Sequence, residues 1–165
     1  MRQWMTAWFW AGLTVRAVAA GSPAVSPLMR GGMPAVPLAA DVVGARELTL
    51  IATAGPDNYD YDQAVWGNPL IGCADGTRVD LTSSTPLHAA VGWGKLLVNA
   101  GHGGALHIAG TRMERGFWAH APSELTFALP PNAVRFEALV GLTAPKDKGS
   151  VVFEAHAGEE LARRR

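Results

Sequence analysis

Residues 110–141 read GTRMERGFWAHAPSELTFALPPNAVRFEALVG, and the second half of this stretch decides the fold. Within it, Glu124–Leu129 and Ala133–Val140 alternate apolar with other side chains, and the corner Pro130-Pro131-Asn132 lies between them. A period of two puts the apolar residues of each segment on one face. The pattern therefore predicts two half-buried antiparallel strands and a tight turn. Ahead of them, Gly116-Phe117-Trp118-Ala119-His120-Ala121-Pro122-Ser123 mixes glycine, bulky aromatics and a histidine at the mouth of a strand. Loops at strand ends are where β-proteins commonly carry recognition chemistry.

The same pattern extends in both directions. Leu48–Ala54 is a predicted strand with Leu48, Leu50 and Ala52 facing one way. It runs into Gly55–Pro69, which reads as an acidic and aromatic loop, and then a short apolar segment, Leu70–Cys73. Val91–Val98 and Gly104–Ile108 supply further short segments, and Val151–His156 follows the polar turn Pro145–Ser150. About seven or eight short strands at close spacing, with no long amphipathic helix between them, predict an all-β chain: a β-sandwich, jelly-roll-like, of short antiparallel strands.

Composition narrows the functions open to such a sandwich. The chain has 165 residues and a formal net charge of zero. Its sparse charges are interspersed in sign, which excludes the basic footprint of a nucleic-acid binder. Cys73 is the one cysteine, so no internal disulfide forms and cysteine usage does not report the compartment. Residues 1–20 do: Arg2, the apolar run Trp4–Val15 and the small-residue ending Ala17-Val18-Ala19-Ala20-Gly21 have the form of a secretory signal. That run is too short for a spanning helix, so the expected location is secreted, periplasmic or at the cell surface. Residues 21–40 are rich in Pro, Ser, Gly and Ala and sustain no period, which predicts a linker before a folded unit over 41–160.

The opening loop and its strands carry a family resemblance. Gly116-Phe117-Trp118-Ala119-His120-Ala121-Pro122-Ser123, a strand, then Phe136-Glu137-Ala138-Leu139-Val140-Gly141 resembles the G-x-G-x-H-A-x-S and F-x-A-x-V-G segments of the NPCBM family, the carbohydrate-binding modules associated with glycosyl hydrolases. Gly92-Trp93-Gly94 and Leu106-His107-Ile108-Ala109-Gly110 are similar to its GWG and L-x-I-G-G segments. Three positions depart: Trp118 stands at the second glycine, Thr143 follows Gly141-Leu142 where an aspartate is usual, and Gln63 replaces a histidine. The order also departs. Leu48–Ile51 with Asp62–Pro69 is similar to the segment that closes such a module, yet it precedes the rest. Either the chain joins parts of two adjacent modules, or this strand closes the same sandwich in a permuted arrangement, which neighbouring termini permit. The resemblance implies a galactose-binding-domain-like sandwich that is not an enzyme. It further implies binding of terminal galactose- or N-acetylhexosamine-type glycans beside a glycoside hydrolase or a neighbouring module. The alternative is a structural or protein-interaction sandwich of a secreted or cell-surface repeat protein.

Sugar binding also follows from residue chemistry. A pyranose has apolar C–H faces and hydroxyl edges, so its site needs flat aromatic platforms and fixed donors and acceptors. Trp66, Trp93, Trp118, Tyr59 and Tyr61 are candidate platforms. His120, Arg112, Glu114, Asp60, Asp62 and Asn68 are candidate hydrogen-bonding groups. Trp93, between two glycines, reads more readily as a packing residue. Trp66 does too, with Asp62 as partner for its indole N–H. Trp118, beside a loop histidine, is the tryptophan expected to be exposed. His120 has two readings, a sugar contact or a buried imidazole bonded to backbone.

Asp57, Asn58, Asp60 and Asp62 suggest a structural Ca²⁺, although no cofactor is required. Their spacing lacks the glycine and terminal glutamate of an EF-hand, and the alternative is a solvated turn whose side chains bond their own backbone. The carboxylates Glu114, Glu124, Asp60 and Asp62 share no glycosidase motif, and Ser123 near His120 lacks the elbow of a serine hydrolase.

Overall fold

The computed structural model describes residues 22–158, so the expected leader at 1–20 lies outside the described residues. In chain order the strands are β1 (Ala24–Val25), β2 (Met29–Arg30), β3 (Val36–Asp41), β4 (Glu47–Ala54), β5 (Gln63–Cys73), β6 (Arg78–Asp80) and β7 (His88–Ala90). They continue with β8 (Leu97–Val98), β9 (His107–Ile108), β10 (Thr111–Arg112), β11 (Gly116–His120), β12 (Ser123–Ala128), β13 (Ala133–Leu142) and β14 (Ser150–Gly158). The one helical element among the described residues is a 3₁₀ turn at Leu81–Ser83.

Two six-stranded antiparallel sheets take twelve of these strands, and β9 and β10 pair with each other as a separate two-stranded antiparallel sheet. The first has the order β1-β14-β4-β12-β7, with β2 also on β14; the second has the order β3-β13-β5-β11-β8, with β6 on β5. Alternation decides which residues meet between them. Leu48, Leu50 and Ala52 of β4, Leu125 and Phe127 of β12, and Val151, Phe153 and Ala155 of β14 point inward from the first sheet. Trp66, Phe117, Phe136, Val140 and Leu142 answer from the second. Each of these side chains is at or near zero exposure, and burying a large apolar side chain stabilises by about 1.5–3 kcal/mol. The expected all-β sandwich is what these residues build.

Three expectations need correction. The segments on either side of Pro130-Pro131-Asn132 do not face one another across a turn: β12 pairs with β4 and β7, while β13 pairs with β3 and β5. The corner carries the chain from one sheet to the other, with the Leu129 N–H donating to the Arg46 carbonyl at 2.8 Å. Alternation shows that both segments are half-buried but cannot show which sheet each joins.

The stretch read as a linker over 21–40 supplies β1, β2 and most of β3. β3 pairs through Val36–Asp41 along β13, and Met29 is fully buried. These strands are short and at sheet edges, where a proline such as Pro37 is tolerated, so no period emerges from the sequence. The loop read as Gly55–Pro69 ends earlier, because β5 begins at Gln63 and runs to Cys73. A bulge near Asn68, whose φ is 47°, interrupts its alternation and shifts its register on β13.

β4 lies between β14 and β12. Leu48–Ala54 pairs along its length with Val151–Ala157, so the strand that precedes the rest of the family-like segments and the last strand share one sheet.

The outer face of the second sheet carries a further apolar layer. Ideal Cβ atoms built on Gly116, Gly67 and Gly141 would lie 2.8, 2.9 and 2.4 Å from side-chain atoms of Leu106, Met113 and Ile108. The bare backbone of three neighbouring strands thus seats the 99–113 segment. Val65 and Trp118 complete that second cluster.

Candidate functional site

The chemistry-bearing residues gather where the 55–62 loop, the loop around Trp93 and the 99–106 loop meet β11. Phe117 of β11 points into the core and Trp118 points to the outer face, where the 99–113 segment covers it to 1% exposure. His102 stacks on Trp118 at 5.6 Å and 23°, and Trp93 meets the pair edge-on, at 5.1 Å from His102 and 6.3 Å from Trp118. On the other side Tyr59 meets His120 edge-on at 6.5 Å. Between these groups lies an open cleft of about 440 Å³, lined by Trp93, His102 and His120 and by Tyr59, Asp60, Tyr61 and Gln63. That volume is within the range of small-ligand sites, about 300–1,000 Å³.

Backbone close approach sets the two walls. An added Cβ on Gly92 would lie 2.6 Å from the Ala121 carbonyl oxygen and 2.7 Å from Pro122 Cδ. The chain before Trp93 therefore lies directly on the turn after His120, and the Gly92 N–H donates to the His120 carbonyl at 3.0 Å. Gly149 does the same for the opposite wall: its φ is +67°, and an added Cβ would lie 2.4 Å from the Tyr61 carbonyl oxygen. Trp93, Tyr59 and Tyr61 are left 51%, 58% and 48% exposed, an unusual display for three large rings at one cleft.

Asp62 is the tie behind the cleft. It is fully buried; its Oδ1 accepts from the Ser150 N–H at 2.7 Å, and its carbonyl accepts from the Ala121 N–H at 2.8 Å. It thereby joins the 55–62 loop to β14 and to the turn after β11. Burial raises the pKa of its carboxyl, partly opposed by the Ser150 hydrogen bond, with the nearby Asp57 charge adding to the rise. Asp57 moves the other way: the Ser150 hydroxyl hydrogen-bonds its carboxylate and holds its pKa down, helped by Arg30 at 3.5 Å.

The tryptophans exchange the roles expected of them. Trp118, expected to be exposed, is buried beneath His102 and does not line the cleft, because its place in β11 faces a segment that covers it. Trp93, expected to pack, is the exposed one. Trp66 lies between the sheets against Phe153 at 5.1 Å and Phe136 at 6.3 Å, out of reach of any ligand. Among the described residues its indole N–H makes no hydrogen bond, and the expected pairing with Asp62 does not form.

His120 combines its two readings. It is 6% exposed and its Nδ1 lies 2.7 Å from the Ala121 carbonyl, yet it lines the cleft. A carbonyl only accepts, so Nδ1 donates in this bond and Nε2 is the ring nitrogen left for a ligand. Arg112 and Glu114 are exposed on and just after β10 and do not line the cleft, and Asn68 lies in a separate groove on the second sheet. Among the described residues no group of three or more His, Cys, Asp or Glu is arranged to hold a metal ion. Asn58 Oδ1 accepts from the Asp60 N–H at 3.0 Å, as in the turn alternative. His102 and Gln63 are the lining residues the sequence analysis did not single out. The glycines at 101, 103 and 104 flank His102 and are the sequence signal for an exposed loop there.

The fold is an all-β sandwich whose loops gather exposed aromatic rings and polar groups around one open cleft. The chain belongs to the NPCBM/NEW2 domain family, whose model matches residues 13–71 and 77–163. This is a family of carbohydrate-binding modules, and the match includes the 21–40 stretch that forms edge strands here. No curated protein and no solved structure matches the chain.

Proposed function

We propose that this protein is a non-catalytic carbohydrate-binding module that takes a terminal galactose- or N-acetylhexosamine-type sugar in the Trp93 cleft and brings a glycoside hydrolase or neighbouring module to its glycan. One observation carries this reading: Trp93, Tyr59 and Tyr61 stand about half exposed around one cleft whose edges are polar. Exposed rings suit the C–H face of a pyranose, while the Gln63 amide, the Asp60 carboxylate and His120 suit its hydroxyls. A binding rather than a hydrolytic role is supported by the scatter of the carboxylates. Asp60 is at the cleft, Asp62 is buried behind it, Glu114 follows β10, and Glu124 lies on β12 of the other sheet. A secreted or cell-surface location accords with a glycan ligand and with the signal-like leader.

Affinity electrophoresis in gels containing galactose- or N-acetylhexosamine-bearing polymers, with a glycan array alongside, tests the proposal. The wild type should be retarded, and Trp93→Ala should migrate freely with its melting temperature almost unchanged, because the ring it removes is half in solvent. Retardation by no glycan would refute the proposal.

A further inference from the structure

We propose that the cleft selects its sugar by charge, admitting neutral rings and rejecting those that carry a carboxylate or sulfate, with Asp60 setting the discrimination. This rests on the reading of the cleft as a sugar site. Asp60 is the one carboxylate among the lining residues, which include no lysine or arginine. Asp60 is exposed at the cleft, and its side chain makes no hydrogen bond or ion pair among the described residues. Of the cations close to this loop, Arg30 pairs with Asp57 at 3.5 Å, and Lys148, which adjoins the Gly149 that meets Tyr61, is exposed and outside the lining. Asp62 is buried behind the same wall, its Oδ1 taken by the Ser150 N–H. Lys95, two residues beyond Trp93, is exposed and outside the lining.

An acidic ring seated on Trp93 would bring a second negative charge to Asp60 with no donor of opposite sign. A hydroxyl at the same position would instead donate to that carboxylate. Specificity of this kind comes from a repulsive element built against the wrong ligand. Like charges a few ångströms apart at a partly desolvated surface cost roughly a factor of ten in affinity, ~1.4 kcal/mol.

The test uses matched probes that differ in charge more than in shape: the methyl glycosides of galactose and glucose, the corresponding galacturonide and glucuronide, and the neutral methyl esters of those uronides. Affinities are measured by titration calorimetry on the wild type and on Asp60→Asn at about pH 8, where histidines are ordinarily uncharged. For whichever ring binds, the wild type should hold the glycoside and the ester within about threefold of each other and the uronide at least tenfold more weakly. That gap should shrink when salt is raised to about 0.5 M. In Asp60→Asn the gap between ester and uronide should close to within about threefold. Equal binding of uronide and ester by the wild type, or a gap that survives in Asp60→Asn, overturns the charge proposal while leaving the sugar site standing. Binding of none of the probes, with no glycan retained on the array, overturns both.

Discussion

Trp93 and Trp118 lie 6.3 Å apart, one lining the cleft and the other buried behind it, and do different physical work. Trp118 is 1% exposed and His102 stacks on it, whereas Trp93 is half in water. Trp118→Ala should therefore cost about 3–5 kcal/mol of stability, the range for removing a large buried aromatic side chain. Chemical denaturation measures it, and a loss below 1 kcal/mol would contradict the burial.

Asp62 gives a pH prediction. Burial raises its pKa above the ordinary 3.8, so the folded state holds its proton more tightly than the unfolded chain does. Between the unfolded and folded values the native state binds more protons, and this group's contribution to stability falls as pH rises through that window. Asp57 has a lowered pKa and contributes in the opposite direction, losing stability as pH falls. Asp62→Asn keeps an acceptor for the Ser150 N–H and removes the titration. It should gain stability relative to wild type as pH rises from about 4 to about 7. Urea denaturation across that range checks this, and a pH-independent difference between the two proteins would count against it.

At the scale of elements, the Gly92-Trp93-Gly94 loop is held by what glycine lacks. Gly92→Ala would press its methyl group on the Ala121 carbonyl and the Pro122 ring, at 2.6 and 2.7 Å. Both neighbours are rigid, so the loop must move. A stability loss of about 1–3 kcal/mol is expected, with glycan retention falling as Trp93 leaves the cleft. Retention equal to wild type would show that the loop tolerates the shift.

The strands themselves were largely legible, because Leu48–Ala54, Glu124–Leu129, Ala133–Val140 and Val151–His156 each alternate in the way their burial requires. Less legible were β1, β2 and the start of β5. β1 and β2 are two residues long, and in β5 the four residues after Gln63, Ala64 to Gly67, are all buried, which hides the period of two.

At the scale of the whole molecule, the two halves of the chain are interleaved. β4 pairs with β14 and β12, and β5 with β13 and β11, so neither half has a sheet of its own. The edge strands belong to the same body: β3 covers one side of β13, while β1 and β2 cover β14. A chain beginning at Arg46 would leave β13 and β14 with unpaired edges and would lose Met29 and Leu38 from the core. It should lose the cooperative thermal transition seen by circular dichroism for the full chain. A native-like transition without residues 1–45 would restore the linker reading of 21–40.

The sequence by itself determined the all-β character, most inward-facing residues and the family, because alternation and short glycine-bounded segments are local properties of the chain. The tertiary structure decided which strand joins which sheet, which tryptophan is exposed, and that Tyr59, Tyr61, Trp93 and His120 form one cleft. Those outcomes depend on contacts between segments far apart in the chain. Trp118 is the clearest case: its register in β11 points it outward, and burial follows because the 99–113 segment folds over the glycine-bared face around it.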